Sequence, residues 1–247
     1  NVRVSGWPVA LGSGAATELA VGDGRLAVVD GNGVLHCWEQ ASGYRLWGAS
    51  LGSAPSGPPT FDRRLVHIGT ADGRLLVFDA VDGKSVGILK SPAAITSRIL
   101  ANRGTLWFAG GDGMLRAVDF DAGRVLWTAP IGRVATDGQI ALAGNSVIAI
   151  GEKRLVAFDR ATGEPRGELA LEHELRRLDA QQRRVFVEVR RPKERDRAAH
   201  DALVAVDAND LSILWEFTLD AVGPGRLGSD ELVVALPSAS GDVILFR

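Results

Sequence analysis

This chain is nearly empty of cysteine, methionine and tyrosine, with one of each in 247 residues. The lone cysteine, Cys37, cannot close an internal disulfide, so no disulfide framework holds the fold. No apolar run approaches the ~18 residues that a membrane-spanning helix needs. Neither sign of charge dominates: the formal net charge is −2, which gives no electrostatic reason to expect nucleic acid or another polyanion as partner. No segment sustains a 3.6-residue apolar period, so helices are not expected to carry the core. The first residue is Asn1 rather than methionine. The chain is therefore expected to be a processed or trimmed product, with any signal peptide or membrane anchor outside it.

What the chain has is glycine, 30 residues of it, a hydrophobic content of 46%, and an internal repeat. Fixed periods are sought first, because a missed repeat misreads the whole fold. The stretch Leu115–Trp127, LRAVDFDAGRVLW, reads as an alternating strand, a tight turn at Ala122-Gly123 and a second strand ending on tryptophan. Its closing acidic column holds Glu39, Asp79, Asp119, Asp159 and Asp207, in steps of 40, 40, 40 and 48 residues. Apolar columns keep the same register: Leu35, Leu75, Leu115, Leu155, Leu203 and Val243, then Trp38, Phe78, Val118, Phe158, Val206 and Phe246.

Each unit divides into four short strands, A to D. In the first, A lies near 17–21, B at 25–29, C at 34–39 and D at 44–50. Asn32-Gly33, Asp72-Gly73 and Asp112-Gly113 supply the positive φ angles of B–C hairpins. Gly43, Gly83, Gly123 and Gly163 mark the C–D turns. Strand C is apolar on both faces, as in Leu75 and Val77 against Leu76 and Phe78, so each sheet must be covered on both sides. The charged stretch 171–184 falls where strand A of the fifth unit belongs.

Residues 1–12 look like a D strand without its C strand: Trp7 and Leu11 match Trp47 and Leu51, forty residues on. Residues 231–247 supply the complement and stop at the anchor column. The expected fold is all-β: a six-bladed β-propeller of four-stranded antiparallel blades, closed by the N-terminal strand completing the C-terminal blade. One domain, 1–247, holds blades at about 13–51, 52–91, 92–131, 132–171, 172–219, and 220–247 with 1–12.

At LVAFDRATGE, LRAVDFDAGRVLW and LVAVDANDLSILW the chain resembles the pyrroloquinoline-quinone-like β-propeller repeat. That repeat is shared by quinoprotein alcohol dehydrogenases, by BamB-like assembly lipoproteins and by domains fused to bacterial kinases. The resemblance implies that Trp7, Trp47, Trp127 and Trp215 lock each blade onto the next. Gly87 and Gly167 interrupt that column, and looser junctions are expected there. It also implies an extracytoplasmic setting. Quinoprotein dehydrogenases and BamB have eight blades, and this chain has room for six.

The glycine clusters precede strands, not helices, so the dinucleotide-binding context is missing and hairpin turns explain them. His36 and Cys37 are adjacent on a strand and face opposite sides, so they cannot grip one metal. His67, His173 and His200 are read as structural or surface residues. Quinone chemistry is disfavoured, because Cys37 alone cannot form the vicinal disulfide of many such enzymes. Glu18, Arg98, Arg176 and Arg177 fall on or near innermost strands and hint at a polar channel without a paired carboxylate for acid–base work. Four of the six tryptophans occupy the locking column, which leaves no aromatic stripe for single-stranded nucleic acid. No catalytic residue, cofactor or metal is assigned.

One departure from the repeat remains. Arg190 to Asp201, RRPKERDRAAHD, is an insertion between strands B and C of the fifth unit and is expected to project as a loop. Loops on a rigid scaffold gather binding residues. Arg190, Arg191, Lys193, Arg195 and Arg197 are therefore the candidate partner contacts, aimed at acidic groups. The expected function is a non-catalytic scaffold that binds a protein or peptide. The second reading is a ligand-sensing domain of a larger signalling protein.

Overall fold

The computed structural model describes residues 11–132, 139–151, 153–171, 174–191, 200–219, 228–229, 234–237 and 243–246. All regular structure among them is β, so no helix there is long and apolar enough to cross a membrane. The chain divides into two compact units, residues 1–130 with 136–138, and residues 131–135 with 139–247.

The first unit holds three four-stranded antiparallel meanders. They are β1 (Ala20–Gly22), β2 (Arg25–Val29), β3 (Val34–Glu39) and β4 (Arg45–Ser50); β5 (Thr60–Asp62), β6 (Leu65–Gly69), β7 (Arg74–Asp79) and β8 (Ser85–Lys90); β9 (Leu100–Asn102), β10 (Thr105–Ala109), β11 (Met114–Asp119) and β12 (Arg124–Pro130). The second unit holds two more and a three-stranded sheet. They are β13 (Ile140–Ala143), β14 (Ser146–Gly151), β15 (Arg154–Asp159) and β16 (Pro165–Ala170); β17 (Glu174–Gln181), β18 (Arg184–Arg191), β19 (His200–Asp207) and β20 (Ile213–Leu219); β21 (Gly228–Ser229), β22 (Val234–Pro237) and β23 (Val243–Phe246). The charged stretch near 171–184 forms strand β17. Residues 1–10, which carry Trp7 and most of the expected closing strand, lie outside the described residues.

The two-faced middle strand of each meander organises the packing. In the second sheet, Leu76 and Phe78 meet Val29, Leu35 and Trp47 of the first, while Leu75 and Val77 meet Ile95, Ile99 and Leu106 of the third. In the second unit, Leu155 and Ala157 pack with Val187, Val204 and Val206 of the next sheet. The repeat column Leu35, Leu75, Leu115, Leu155 and Leu203 is buried throughout. Burying each such side chain stabilises by roughly 1.5–3 kcal/mol.

Polar latches tie neighbouring sheets at their edges. The Asp23 carboxylate accepts the Arg64 backbone N–H at 3.1 Å, and Asp62 accepts those of Arg103 and Gly104 at 3.0 and 2.8 Å. The turns so latched are hairpins with two positive φ angles: Asp23-Gly24, Arg63-Arg64 and Arg103-Gly104. Arg64, at φ 62°, takes the left-handed conformation where its repeat neighbours have glycine.

Trp47 contacts the next sheet. Its indole Nε1 donates to the Ala80 carbonyl at 3.0 Å, and its ring lies under Gly83, where a Cβ would come within 2.5 Å of the indole. At Gly87, forty residues on, the facing contact comes from the next sheet. A Cβ there would stand 3.3 Å from the ring of Phe120, which occupies the column of Ala80. A large residue from the next sheet fills the space that a small residue leaves. Tryptophan over alanine at one junction becomes glycine under phenylalanine at the next.

This complementarity is testable by a double-mutant cycle in urea. Phe120→Ala should cost about 3 kcal/mol through the cavity it opens. Gly87→Trp alone should also destabilise, by collision with Phe120. The double variant recreates the Trp47–Ala80 arrangement and should be more stable than the two costs added; simple additivity would refute the exchange.

Candidate functional site

The fifth sheet departs from the others in height. In the first three sheets the β2–β3, β6–β7 and β10–β11 ladders end at Val29↔Leu35, Gly69↔Leu75 and Ala109↔Leu115. The matching pair in the fifth is Glu188↔Leu203, and the ladder continues through Val189↔Ala202, Arg190↔Asp201 and Arg191↔His200. The expected loop therefore begins later than its composition suggests. Arg190, Arg191, His200 and Asp201 are strand residues, and Asp201 is buried, contrary to the expectation that the whole insertion projects. The period-2 alternation of the neighbouring valines carries the ladder through the charges. Lys193, Arg195 and Arg197 lie outside the described residues.

Charges at the base of this hairpin are paired within the sheet. Arg190 donates to Asp201 Oδ2 at 2.9 Å, and Arg191 Nε donates to Glu216 at 2.9 Å. Arg177 Nη1 stands 2.8 Å from Glu188 Oε2, and Arg176 Nη1 stands 3.8 Å from Asp201 Oδ1. Arg176 and Arg177 thus belong to β17, where they face carboxylates of their own sheet. Glu188 is 1% exposed, and burial pushes its carboxyl above the ordinary value while the Arg177 guanidinium opposes the shift. Asp201 Oδ1 is buried without a hydrogen bond. The sequence reading missed Glu188 and Asp201. The signal available was a glutamate in a column otherwise held by Val29, Gly69 and Ala109.

The remaining candidates lie elsewhere. Glu18 is exposed just ahead of β1, and Arg98 is half-buried ahead of β9. Trp127 is buried like Trp47, whereas Trp215 is 38% exposed and tilts against Phe186 of its own sheet. His36 Nε2 stands 2.9 Å from Asp30 Oδ2 and its Nδ1 stands 3.0 Å from Arg45 Nη2, which places the ring proton toward Asp30. The same Asp30 accepts the Asn32 and Val34 backbone N–H groups, so this chain of side chains caps the B–C turn. The His36 contact, first, holds the Asp30 carboxyl at about 2. Cys37 faces the opposite side, in the core, and burial raises its thiol to about 11, which makes it unreactive. Among the described residues, no three His, Cys, Asp or Glu side chains converge as metal ligands.

A family profile described as "Outer membrane protein assembly factor BamB" matches residues 4–188 and 111–247. The chain belongs to the BamB family. Solved structures agree with the BamB-type β-propeller fold. BamB from Moraxella catarrhalis superposes with a TM-score of 0.73 at 19% identity, over 96% of this chain and 73% of that one. The computationally designed Ika8 protein gives 0.73 at 16% identity, over 95% and 71%. U3-55K gives 0.69 at 15% identity, over 96% and 77%. These identities carry the fold and no more. No curated protein sequence matches the chain.

Among the described residues, the most deeply buried titratable ring is His67 on β6. It is 0% exposed, neither ring nitrogen has a hydrogen bond, and its edge meets Phe120 at 5.9 Å. Burial, with a smaller push from Arg63 and against the pull of Asp62, lowers it from 6.5 to about 4. The unfolded chain therefore takes up this proton near pH 6.5 while the folded chain refuses it until about pH 4. The stabilisation is complete above 6.5 and is lost as pH falls toward 4, by about 3 kcal/mol in all. In urea titrations between these limits, His67→Leu should show a shallower loss of stability than the parent. Parallel curves would place the acid sensitivity elsewhere.

Proposed function

We propose that this BamB-family chain is a non-catalytic, extracytoplasmic scaffold that captures a protein partner through the hairpin of its fifth sheet. The observation that carries the reading is the three-pair extension of the β18–β19 ladder. Ordering a segment on binding costs contact energy, and the extension gives the segment between Arg191 and His200 two fixed ends in the ladder. Arg190 and Arg191 are committed to Asp201 and Glu216, so they set the base of the hairpin. The partner contacts then fall to Lys193, Arg195 and Arg197, interleaved with Glu194 and Asp196, which favours an acidic partner with a specific charge pattern over a general polyanion.

The test is to replace residues 192–199 by an Asn-Gly turn while keeping the ladder. Stability should change little, and recovery of bound protein from the native extract should fall. Full recovery of the same partner would remove the hairpin from the binding site.

The scaffold is a closed ring of six blades in this reading. Its support is the repeat: Trp7 and Leu11 keep the columns of Trp47 and Leu51, and the last sheet has three strands among the described residues. Residues 1–12 are the fourth strand we assign to the last blade. Deleting residues 1–12 should lower the melting temperature and promote association through the uncovered edge. A variant that begins at residue 13, melts like the parent and stays monomeric would rule out closure by that strand.

A further inference from the structure

The outer strand of each meander has one edge with no strand beside it among the described residues. Such edges invite another chain to pair, and proteins blunt them with charge, proline or bulges. A bulge recurs at one column in all five four-stranded sheets, at Val86 in β8, so it does not distinguish them. The side chains do. Beside the bulge and two residues on, β4 carries Leu46 and Gly48, and β12 carries Leu126 and Thr128, followed by Pro130. β16 carries Arg166 and Glu168, and β20 carries Leu214 and Glu216, the latter held by Arg191. Only β8, among the described outer strands, has two β-branched apolar residues there. Val86 and Ile88 are 50 and 52% exposed.

We infer that β8 is an acceptor edge for an extended segment of another protein, which adds as a fifth strand to the second sheet. The regular ladder open to it runs from Gly87 to Lys90, and its side chains rest on Ile88 and Val86. The charge at the strand's ends selects the occupant. Lys84 is held by Asp82 at 2.6 Å, whereas Lys90 is exposed and has no ion pair among the described residues. An incoming strand with alternating apolar residues and a terminal carboxylate opposite Lys90 satisfies both features. A second copy of this chain does not. Antiparallel pairing of two β8 strands about Gly87 sets Val86 opposite Ile88, but it also sets Lys84 opposite Lys90 at both ends, which is repulsive. This edge lies in the first unit and is independent of the fifth-sheet hairpin.

A fluorescein-labelled Val-Thr-Val-Thr-Val-Asp peptide, titrated with the full chain, tests the assignment by fluorescence anisotropy. Binding should saturate, and backbone amides from Gly87 to Lys90 should gain protection from hydrogen exchange. Ile88→Lys, at an exposed position where the fold tolerates charge, should weaken binding by roughly tenfold or more. Lys90→Glu should exchange the preference, so that a Lys-ended peptide binds better than the Asp-ended one. The chain trimmed at 192–199 should bind the peptide like the parent, which separates failure here from failure of the hairpin reading. Absence of saturable binding, or binding indifferent to Ile88→Lys, would overturn the inference. So would self-association of the parent that Ile88→Lys abolishes, since that would give the edge to a second copy.

Discussion

A strand that is apolar on both faces cannot sit at the surface of anything. Every four-stranded sheet here has such a strand at its centre, with buried residues pointing to either side. One meander alone would leave both of those faces in water, and a two-sheet sandwich would still leave the outer face of each sheet exposed. Within each unit the stability of a sheet therefore resides in its contacts with the neighbouring sheets. This dependence makes the repeat necessary. It also explains why inter-sheet latches such as Asp62 to Gly104 recur at turn positions, where backbone N–H groups are left over from the ladder.

Within that constraint, the chain solves the outer part of each junction in more than one way. At the first junction Trp47 reaches forward to the Ala80 carbonyl; at the second, Phe120 reaches back to Gly87. The volume is conserved while its source changes sheets. Interiors at crystal-like packing density demand this, because a void at either junction would forfeit contacts that nothing else replaces.

Most of the architecture could be read directly from the sequence because its determinants are local or periodic. The first-sheet strand limits at 25–29 and 34–39 and the opposed faces of Leu75 and Leu76 follow from spacing and turn chemistry. What escaped reading depends on pairs. Gly87 looks like a defect until it is set beside Phe120, thirty-three residues away and on another sheet. The hairpin base was read as loop because charge and Pro192 suggested exposure. Arg190 and Asp201 remain in the ladder because each satisfies the other. Ion pairing across strands leaves no periodic trace in a single sequence, and so the candidate site was half visible: its basic residues were found and their buried acids were not.

The buried acids also say how the fifth sheet differs physically from its neighbours. Where Val29, Gly69 and Ala109 end their ladders, Glu188 places a charge that is 1% exposed. Removing such a group from water costs several kcal/mol before pairing, and an arginine recovers that only in part. An apolar residue would stabilise the sheet more. What the charged set adds is register. A one-residue slip between β18 and β19 would turn Val189 or Ala202 to the other face of the sheet and would also separate Arg190 from Asp201, stranding two partly buried charges. The polar base thus reinforces the alignment that the apolar part of the ladder already favours.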